Sequence, residues 1–313
     1  MVVFDPIFRD AVIFASLLSL LSIGLTLTYL TTRVPNFAHG SFATVGVYLS
    51  LTAVKVQQIV PYSMLPLAFG VSGMIALSLY LLILRPLRLR GASILIQMIA
   101  TLAFDLLLLA ALNITADYFS TVLKITSRDF TLRSFDVFFG EQPGVLVVGP
   151  TLAIVLVASL GVLLTRTKFG AAMRATIENP HLSSVLGVNV NLVYSVSWFL
   201  AGGFGGIAGV LTSLWFASSP DIGSFIIPSI FAASIVGGLF HIYGAILGGV
   251  LVGFAEILGT RFLLTPLGLS SAFRPIVPLA IISITLLIVP GGLMGVNWRA
   301  VRLRLGGKHG PPT

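Results

Sequence analysis

Residues 165–189, TRTKFGAAMRATIENPHLSSVLGVN, form a polar segment between stretches that are apolar enough to lie in lipid. Asn179 is a favourable N-cap and Pro180 follows at the first helical position, so the segment predicts a helix that begins there and another helix before it. The predicted apolar faces of these helices are Phe169, Met173 and Ile177 in the first and Leu182, Val185 and Leu186 in the second, with Gly187 as the closing residue. Two short amphipathic helices between apolar spans indicate a surface for a soluble partner. An ordinary cytoplasmic loop is the alternative.

The composition of the chain is that of a membrane protein. Of 313 residues, 57% are hydrophobic and 9% are charged, and the mean hydropathy is +1.05. A soluble chain carries about 25% charged residues. Because the apolar runs are long and do not alternate, we predict an all-α fold, a polytopic transmembrane helical bundle of about eight or nine spans. The lack of cysteine excludes disulfides, thiolate metal sites and a cysteine nucleophile.

The predicted spans divide a single transmembrane domain, residues 1–313, into apolar and polar intervals. The spans are 11–30, a second one that ends near residue 53, 64–84, 91–112, 145–164, 190–216, 222–240, 245–264 and 275–289. Segment 222–240 is either a full crossing or a re-entrant pair of half-segments. The interval 113–144 is predicted to be an external loop.

Basic residues set the predicted orientation. Arg33, the cluster at 85–90, residues 165–189 and the C-terminal tail contain eleven of the 18 Lys and Arg residues but only one of the ten acids, Glu178. Cytoplasmic loops are enriched in Lys and Arg, so we place these four regions in the cytoplasm. Nine crossings with the N-terminus outside bring all four to the same side. The basic residues of the tail are Arg299, Arg302, Arg304 and Lys308.

Pairs of glycines four residues apart occur in the later spans. Such pairs let helix backbones approach closely in lipid, where van der Waals contact drives helix association. The predicted helix-packing pairs are Gly202 with Gly206, Gly205 with Gly209, Gly244 with Gly248, and Gly249 with Gly253. The run 203–208 is superficially similar to a dinucleotide-binding fingerprint, but no strand precedes it, so we assign it to packing.

Several polar residues lie within or beside the predicted spans. Asp105 and Glu256 are buried in apolar sequence, and an ionised carboxylate there is costly unless it is paired or hydrated. We expect no Lys or Arg inside the spans to pair with them. They are candidates for a proton relay or a polar path, but for Asp105 we favour a hydrogen-bonded acid that fixes helix packing. Asn36, His39 and Ser41 are expected to support non-helical backbone at a membrane boundary.

No catalytic, cofactor-binding or metal-binding set is evident in the sequence. The four histidines lack ligand spacing, and no Ser-His-Asp arrangement occurs. Gly307-Lys308 lacks the upstream glycine of a phosphate-binding loop and is followed by His309. We therefore expect neither enzyme activity nor an ATP site in this chain. The high pI is not accompanied by a basic aromatic stripe, so we expect no nucleic-acid partner.

Four motifs together resemble the branched-chain amino acid ABC transporter permeases of the LivH type, and they extend over nearly the whole chain. The motifs are Pro35-Asn36-Phe37-Ala38-His39-Gly40; Gly170, Arg174-Ala175, Asn179 and Leu186-Gly187; Gly237-Gly238, Gly244-Ala245, Gly248-Gly249, Gly253 and Glu256; and Arg274 with Pro290-Gly291-Gly292-Leu293-Met294-Gly295. One departure is that many relatives have Glu directly after the His-Gly pair, where this chain has Ser41. The resemblance implies a type II-like ABC importer permease.

The resemblance also implies a function and a set of partners. It implies a subunit that moves branched-chain or other small amino acids inward by alternating access, in membrane lipid of a prokaryotic inner membrane. The implied partners are a LivM-type permease, two ABC ATPase subunits that hold ATP and Mg, and an external solute-binding protein. Permeases for urea, short-chain amides and sugars share this architecture. A secondary transporter driven by an ion gradient is the competing class.

Residue roles follow from the same resemblance. The segment 165–189 is implied to be the cytoplasmic coupling segment that docks on the ATPases. Its implied coupling residues are Phe169, Gly170, Arg174, Glu178, Leu182, Leu186 and Gly187. The candidate residues of the translocation path are Asn36, His39, Ser41, Gln97 and Glu256.

Overall fold

The computed structural model describes residues 5–266, 268 and 273–295 of the chain, and the basic residues of the predicted tail lie outside them. Twelve α-helices form the described part. They are α1 Pro6–Thr32, α2 His39–Lys55, α3 Leu65–Ser78, α4 Arg85–Leu89, α5 Ile94–Thr121, α6 Gly144–Arg166, α7 Lys168–Glu178, α8 Pro180–Val185, α9 Val190–Trp215, α10 Ile222–Gly237, α11 Ile242–Gly259 and α12 Ile276–Ile288. π-Helical turns at Leu79–Leu84 and Thr260–Leu264 join α3 to α4 and extend α11.

Seven of the described helical stretches are long and apolar enough to cross a membrane, so the predicted count of eight or nine full spans is wrong. The seven stretches are Pro6–Thr32, Pro61–Leu89, Ile94–Thr121, Gly144–Arg166, Val190–Trp215, Ile242–Leu264 and Ile276–Gly295. The all-α polytopic membrane bundle itself is confirmed.

The two remaining predicted spans are short helices. Helix α2 has 17 residues and α10 has 16, so at 1.5 Å per residue neither reaches the roughly 30 Å of a bilayer core. Helix α1 ends at Arg33, whose φ is +60°, and residues 34–38 are non-helical before α2 begins at His39. The ring of His39, the first residue of α2, lies against the carbonyl of Leu21 in the middle of α1. Helix α2 therefore begins inside the bundle.

Helix α1 is the hub of the bundle. Within its most apolar window, 94% of the residues are buried, and it packs against α6, α9, α10 and α11. Helix α9 is the second buried helix and packs against α1, α2 and α3. Helices α5, α6 and α12 are peripheral, and only 11% of the corresponding window of α12 is buried. The hydrophobic periphery fits a chain whose outer helices face lipid or other subunits.

The outer end of the bundle is closed by side-chain contacts and a small hairpin. Strand β1, Phe138–Phe139, pairs antiparallel with β2, Gln142–Pro143. The indole N–H of Trp215 donates to Asp10 at 2.8 Å, which joins the ends of α9 and α1. The loop after α5 is held on the end of α9 by the N–H of Leu132, which donates to the Ser213 carbonyl at 2.8 Å.

Helix α5 continues to Thr121, so the predicted external loop 113–144 begins about two turns too early. The polar side chains that suggested a loop bond back to their own helix. Asn113 donates to the carbonyl of Leu109 at 3.0 Å, and Thr115 donates to that of Ala111 at 2.9 Å. Because these polar groups find partners on the helix, they do not end it.

Candidate translocation path and coupling segment

The glycine pairs of α9 serve two different helices. A Cβ at Gly202 or Gly206 would meet the backbone or side chains of α3, for example the Cβ of Ala76 at 2.5 Å from Gly202. A Cβ at Gly205 or Gly209 would meet α2 instead, where Gly209 lies against the backbone of Ala43. The second pair is shifted by three residues along α9 and faces a different neighbour. Helix α9 therefore contacts α3 with one glycine pair and α2 with the other, both at close range.

The glycine pairs of α11 follow the same pattern. Gly244 and Gly248 lie against the backbone of α10, and a Cβ at either position would meet Gly237 or Ala233. On the other face, a Cβ at Gly249 would lie 2.5 Å from the Cα of Ser19 on α1. The glycines therefore permit the close packing that surrounds α1 and α10.

The first turns of the two short helices meet each other. A Cβ on Gly223, at the start of α10, would approach the carbonyl carbon of Gly40 on α2 to 2.5 Å. The hydroxyl of Thr44 accepts a hydrogen bond from the backbone N–H of Gly223 at 3.1 Å. Asp221, the residue before α10, makes no capping hydrogen bond with its own side chain. Thr44 thus caps α10 from a neighbouring helix.

Asn36 and His39, two predicted path residues, are fully buried beside the start of α2. The side-chain oxygen of Asn36 accepts from the N–H of Ala38 at 3.1 Å, and Nε2 of His39 lies 2.9 Å from the Leu21 carbonyl. Nδ2 of Asn36 and Nδ1 of His39 have no hydrogen-bond partner within the part of the chain that the structure describes. Both side chains thus tie re-entrant backbone to α1 and α2, which is the local role that the sequence indicated.

One face of α5 supplies the polar contacts to the stretch before and within α2. The hydroxyl of Ser41 donates to Asp105 at 2.5 Å, so this buried acid has a hydrogen-bond donor. One turn earlier, Thr101 accepts from the N–H of Phe37 at 3.2 Å. Gln97 is buried one further turn back on the same face, and its amide donates to the Ala92 carbonyl at 3.0 Å. Gln97, Thr101 and Asp105 form a buried polar stripe in the first half of α5, and its other buried residues are the apolar Leu112, Ala116 and Phe119.

Glu256, the remaining predicted path residue, lies apart from this cluster and has a basic partner. Nε of Arg274 donates to Oε1 of Glu256 at 2.6 Å. The partner of Glu256 thus comes from just outside the predicted span 275–289, whereas the expectation concerned only Lys and Arg inside the spans. The guanidinium also lies over the ring of Phe14, 4.3 Å from its centroid, and 5.7 Å from that of Phe216. The sequence did not indicate the pairing of Arg274 with Glu256, because Arg274 stands outside the apolar segment and 18 residues from Glu256.

Helices α7 and α8 occupy the predicted coupling segment. Thr167 caps α7, where its hydroxyl accepts from the N–H of Gly170 at 3.0 Å. Gly170 lies against the backbone of Leu163 and Leu164, so a Cβ there would push α7 away from the end of α6. Met173 is buried, and Phe169 and Ile177 on the same face are partly buried against the bundle. Arg174 and Glu178 are exposed.

Helix α8 points apolar side chains away from the bundle. Asn179 caps it by accepting from the N–H of Leu182 at 3.0 Å, with Pro180 as the first helical residue, as the sequence predicts. Val185 exposes 83% of its surface, Leu186 74% and Leu182 56%. Gly187 ends the helix with a φ of +85°, a conformation that glycine adopts without strain. Leu182, Val185 and Leu186 therefore form a small exposed apolar knob on α8, between the long apolar helices α6 and α9.

The described residues contain no group of three His, Cys, Asp or Glu side chains placed to hold a metal ion. The polar clusters instead consist of hydrogen-bonded pairs and one ion pair.

Comparison with known proteins places the whole chain in one family. Residues 7–290 match the family described as "Branched-chain amino acid transport system / permease component". The chain is 43% identical over 297 residues to the probable branched-chain amino acid transport permease protein LivH of Methanocaldococcus jannaschii, covering 95% of this chain and 94% of that protein. It is 26% identical to the high-affinity branched-chain amino acid transport system permease protein BraD of Pseudomonas aeruginosa, over 88% of this chain and 91% of that one. The corresponding LivH of Escherichia coli is 25% identical, over 91% and 94% of the two chains. No solved structure matches.

These matches agree with the buried glycine contacts, the intramembrane polar residues and the seven apolar spans described above. This multi-pass membrane protein therefore belongs to the family of permease components of branched-chain amino acid transport systems.

Proposed function

We propose that this chain is the permease subunit of an ABC importer that carries branched-chain amino acids inward across a prokaryotic inner membrane by alternating access. The relatives are named for branched-chain amino acid transport, and they match nearly end to end. The partners are a LivM-type permease, an external solute-binding protein and two ATPase subunits. ATP and Mg are held by those ATPase subunits, and this chain supplies no ATP-binding site and no enzyme activity.

The observation that supports the ATP-driven mechanism best is the exposed apolar knob of α8, formed by Leu182, Val185 and Leu186. Three large apolar side chains in water are unfavourable unless a partner covers them. The knob lies in the polar segment between α6 and α9, on the side to which positive residues assign the cytoplasm. Helix α8 projects from the bundle and directly follows α7, which Met173 anchors on the bundle, so the helix pair suits transmission of rigid-body motion.

The experiment is co-purification from the native membrane followed by ATPase assay in proteoliposomes. We expect two ATPase subunits to co-purify and their turnover to rise when the leucine-loaded binding protein is added. Val185→Asp and Leu186→Asp should reduce ATPase recovery at least tenfold, because a charge cannot be buried in an apolar contact without a partner. Ser184→Asp is the matched control, since it adds the same charge to an exposed polar position of the same helix.

The outcomes separate the competing functions. A complex whose turnover responds to urea or a short-chain amide but not to branched-chain amino acids would keep the mechanism and discard the substrate. A chain that transports alone in liposomes on an ion gradient, with no ATPase bound, would replace the proposal with a secondary transporter.

A further inference from the structure

A cavity of about 310 Å³ lies between α1, α9, α10 and α11 at the Glu256–Arg274 pair. This volume lies at the lower end of small-molecule sites, which span about 300–1,000 Å³. Phe225, one of its lining residues, exposes 59% of its surface, so the cavity is reached from outside the packed core. Ile222 and Ile226, on the first turns of α10, also line it.

The ion pair in this cavity uses only half of its bonding capacity. A guanidinium and a carboxylate can form two parallel hydrogen bonds, but here only Nε of Arg274 bonds to Oε1 of Glu256, at 2.6 Å. Oε2 of Glu256 and Nη2 of Arg274 are buried and have no partner among residues 5–266, 268 and 273–295. Glu256 is 3% exposed. A buried charged group left without a bond is costly, so these two atoms call for a partner that the described residues do not supply.

The surroundings hold the pair in place and are mostly apolar; the hydroxyl of Thr212, which also lines the cavity, donates to the Ala208 carbonyl of its own helix at 2.7 Å. The guanidinium stacks over Phe14 at 4.3 Å and near Phe216 at 5.7 Å, which restricts its rotation. Ile222, Ile226 and Phe225 complete the wall. One acid and one base give a cavity with no net charge, which disfavours a simple cation or a simple anion as the occupant.

We propose that this cavity binds the substrate as a zwitterion, with the α-ammonium on Oε2 of Glu256, the α-carboxylate on Nη2 of Arg274, and the aliphatic side chain against the phenyl and isoleucine wall. The inference rests on the proposed function, because it names the residues of this subunit that hold an aliphatic α-amino acid. One donor and one acceptor presented side by side match the two charged groups on a single α-carbon. The apolar wall selects aliphatic over polar side chains.

The site also touches the junction of the two short helices. Ile222 precedes Gly223, the residue whose N–H is capped by Thr44 on α2. A solute bound there would therefore contact the first turn of α10, which packs on α2. This places the site next to the part of the bundle where non-helical backbone enters the membrane.

The test measures binding of radiolabelled leucine by scintillation proximity to the purified permease–ATPase complex in nanodiscs, without the external binding protein. We expect saturable binding that valine and isoleucine displace. Leucinamide, which lacks the carboxylate, and 4-methylpentanoate, which lacks the ammonium, should displace leucine at least tenfold less well. Glu256→Gln and Arg274→Gln should each weaken leucine binding at least tenfold. Asp117→Asn and Arg128→Gln, which break the exposed ion pair of the outer loop, are matched controls that should bind as the wild type does.

Several results would overturn the inference. Unchanged leucine binding by both Glu256→Gln and Arg274→Gln would do so, as would equal competition by leucinamide, 4-methylpentanoate and valine. If those variants fail to assemble, the competition series on the wild-type complex decides, together with Phe225→Trp, which fills the cavity and should weaken binding.

The transport assay distinguishes this inference from the proposed function. Leucine transport by a wild-type complex that shows no saturable leucine binding would overturn the site and leave the function standing. A wild-type complex that neither binds nor transports branched-chain amino acids would overturn both.

Discussion

The hydroxyl of Thr44 on α2 accepts a hydrogen bond from the backbone N–H of Gly223 on α10 at 3.1 Å, and this bond joins the starts of the two short helices. The first N–H groups of any helix lack partners within that helix. Water can satisfy them at a surface, but the starts of α2 and α10 are buried. The start of α10 therefore depends on Thr44 of α2 for this hydrogen-bond partner.

Replacing Thr44 with Val should remove the cap and leave a buried N–H without a partner. We expect a loss of about 1–3 kcal/mol in the free energy of unfolding, measured in detergent micelles. Thr44→Ser should retain most of the stability because the hydroxyl remains. Thr52→Val is the control on the same helix, since Thr52 bonds only to the carbonyl of Tyr48 within α2. Equal effects of Thr44→Val and Thr52→Val would contradict the capping role.

Gly209→Ala should separate α9 from α2. The added methyl group would enter the space of the Ala43 carbonyl, and neither backbone can withdraw without moving a whole helix. We expect a loss of about 1–3 kcal/mol in unfolding free energy. Gly70→Ala is the matched control, because no atom lies within 4 Å of a Cβ at that helical position. That control should be neutral or stabilise the protein by about 0.5–1 kcal/mol, so comparable losses in both variants would show that glycine packing is not the cause.

Ser41 and Asp105 should show strong energetic coupling. Ser41→Ala removes the hydroxyl that donates to the buried acid, so it should lower the unfolding free energy. Asp105→Asn should be tolerated because its amide oxygen still accepts that bond. The double variant has an amide at position 105 and no hydroxyl at position 41. Because a neutral amide is less costly to leave without this hydrogen bond than an acid, Asp105→Asn should restore part of the stability lost in Ser41→Ala. A thermal-unfolding double-mutant cycle measures this coupling, and strictly additive effects would argue against it.

Arg174→Ala and Glu178→Ala should uncouple ATP hydrolysis from transport. Both side chains are exposed on α7, so we expect changes of no more than about 0.5 kcal/mol in stability and no loss of the membrane helices. The readout is the ratio of leucine transported to ATP hydrolysed in proteoliposomes, which should fall several-fold. Arg128→Ala, an exposed charge on the outer loop, should leave the ratio unchanged. Wild-type ratios in both α7 variants would refute the coupling role of these residues.

Much of the architecture follows from local signals in the chain. The caps at Asn179 and the left-handed Gly187 are local features, so they are evident from the residue types alone. The depth at which α2 and α10 begin is not local. A hydropathy window measures the length of an apolar run, but it does not distinguish a helix that starts at a membrane surface from one that starts inside the bundle. Helix α2 is an example, because the ring of its first residue, His39, lies against the Leu21 carbonyl in the middle of α1.

The site was predictable only in part for a similar reason. Glu256 was recognisable as an intramembrane acid from its apolar neighbours. Its partner Arg274 stands just before Pro275 and α12. The position of Arg274 beside Glu256 depends on tertiary packing, such as its contact with the ring of Phe14. Likewise, Ser41 meets Asp105 because α5 crosses α2, a relationship across 64 residues that no spacing rule reports.

The burial of α1 on nearly every side has a consequence for biogenesis. This helix is synthesised before its neighbours α9, α10 and α11, which follow more than 150 residues later in the chain. In the nascent chain, its small polar face, including the hydroxyl of Ser22 that later bonds to the Ala245 carbonyl, must reside in lipid or against the insertion machinery. Helix α1 thus reaches its native environment only after α11 has been made, and removal of α10 and α11 would leave it without two of its neighbours.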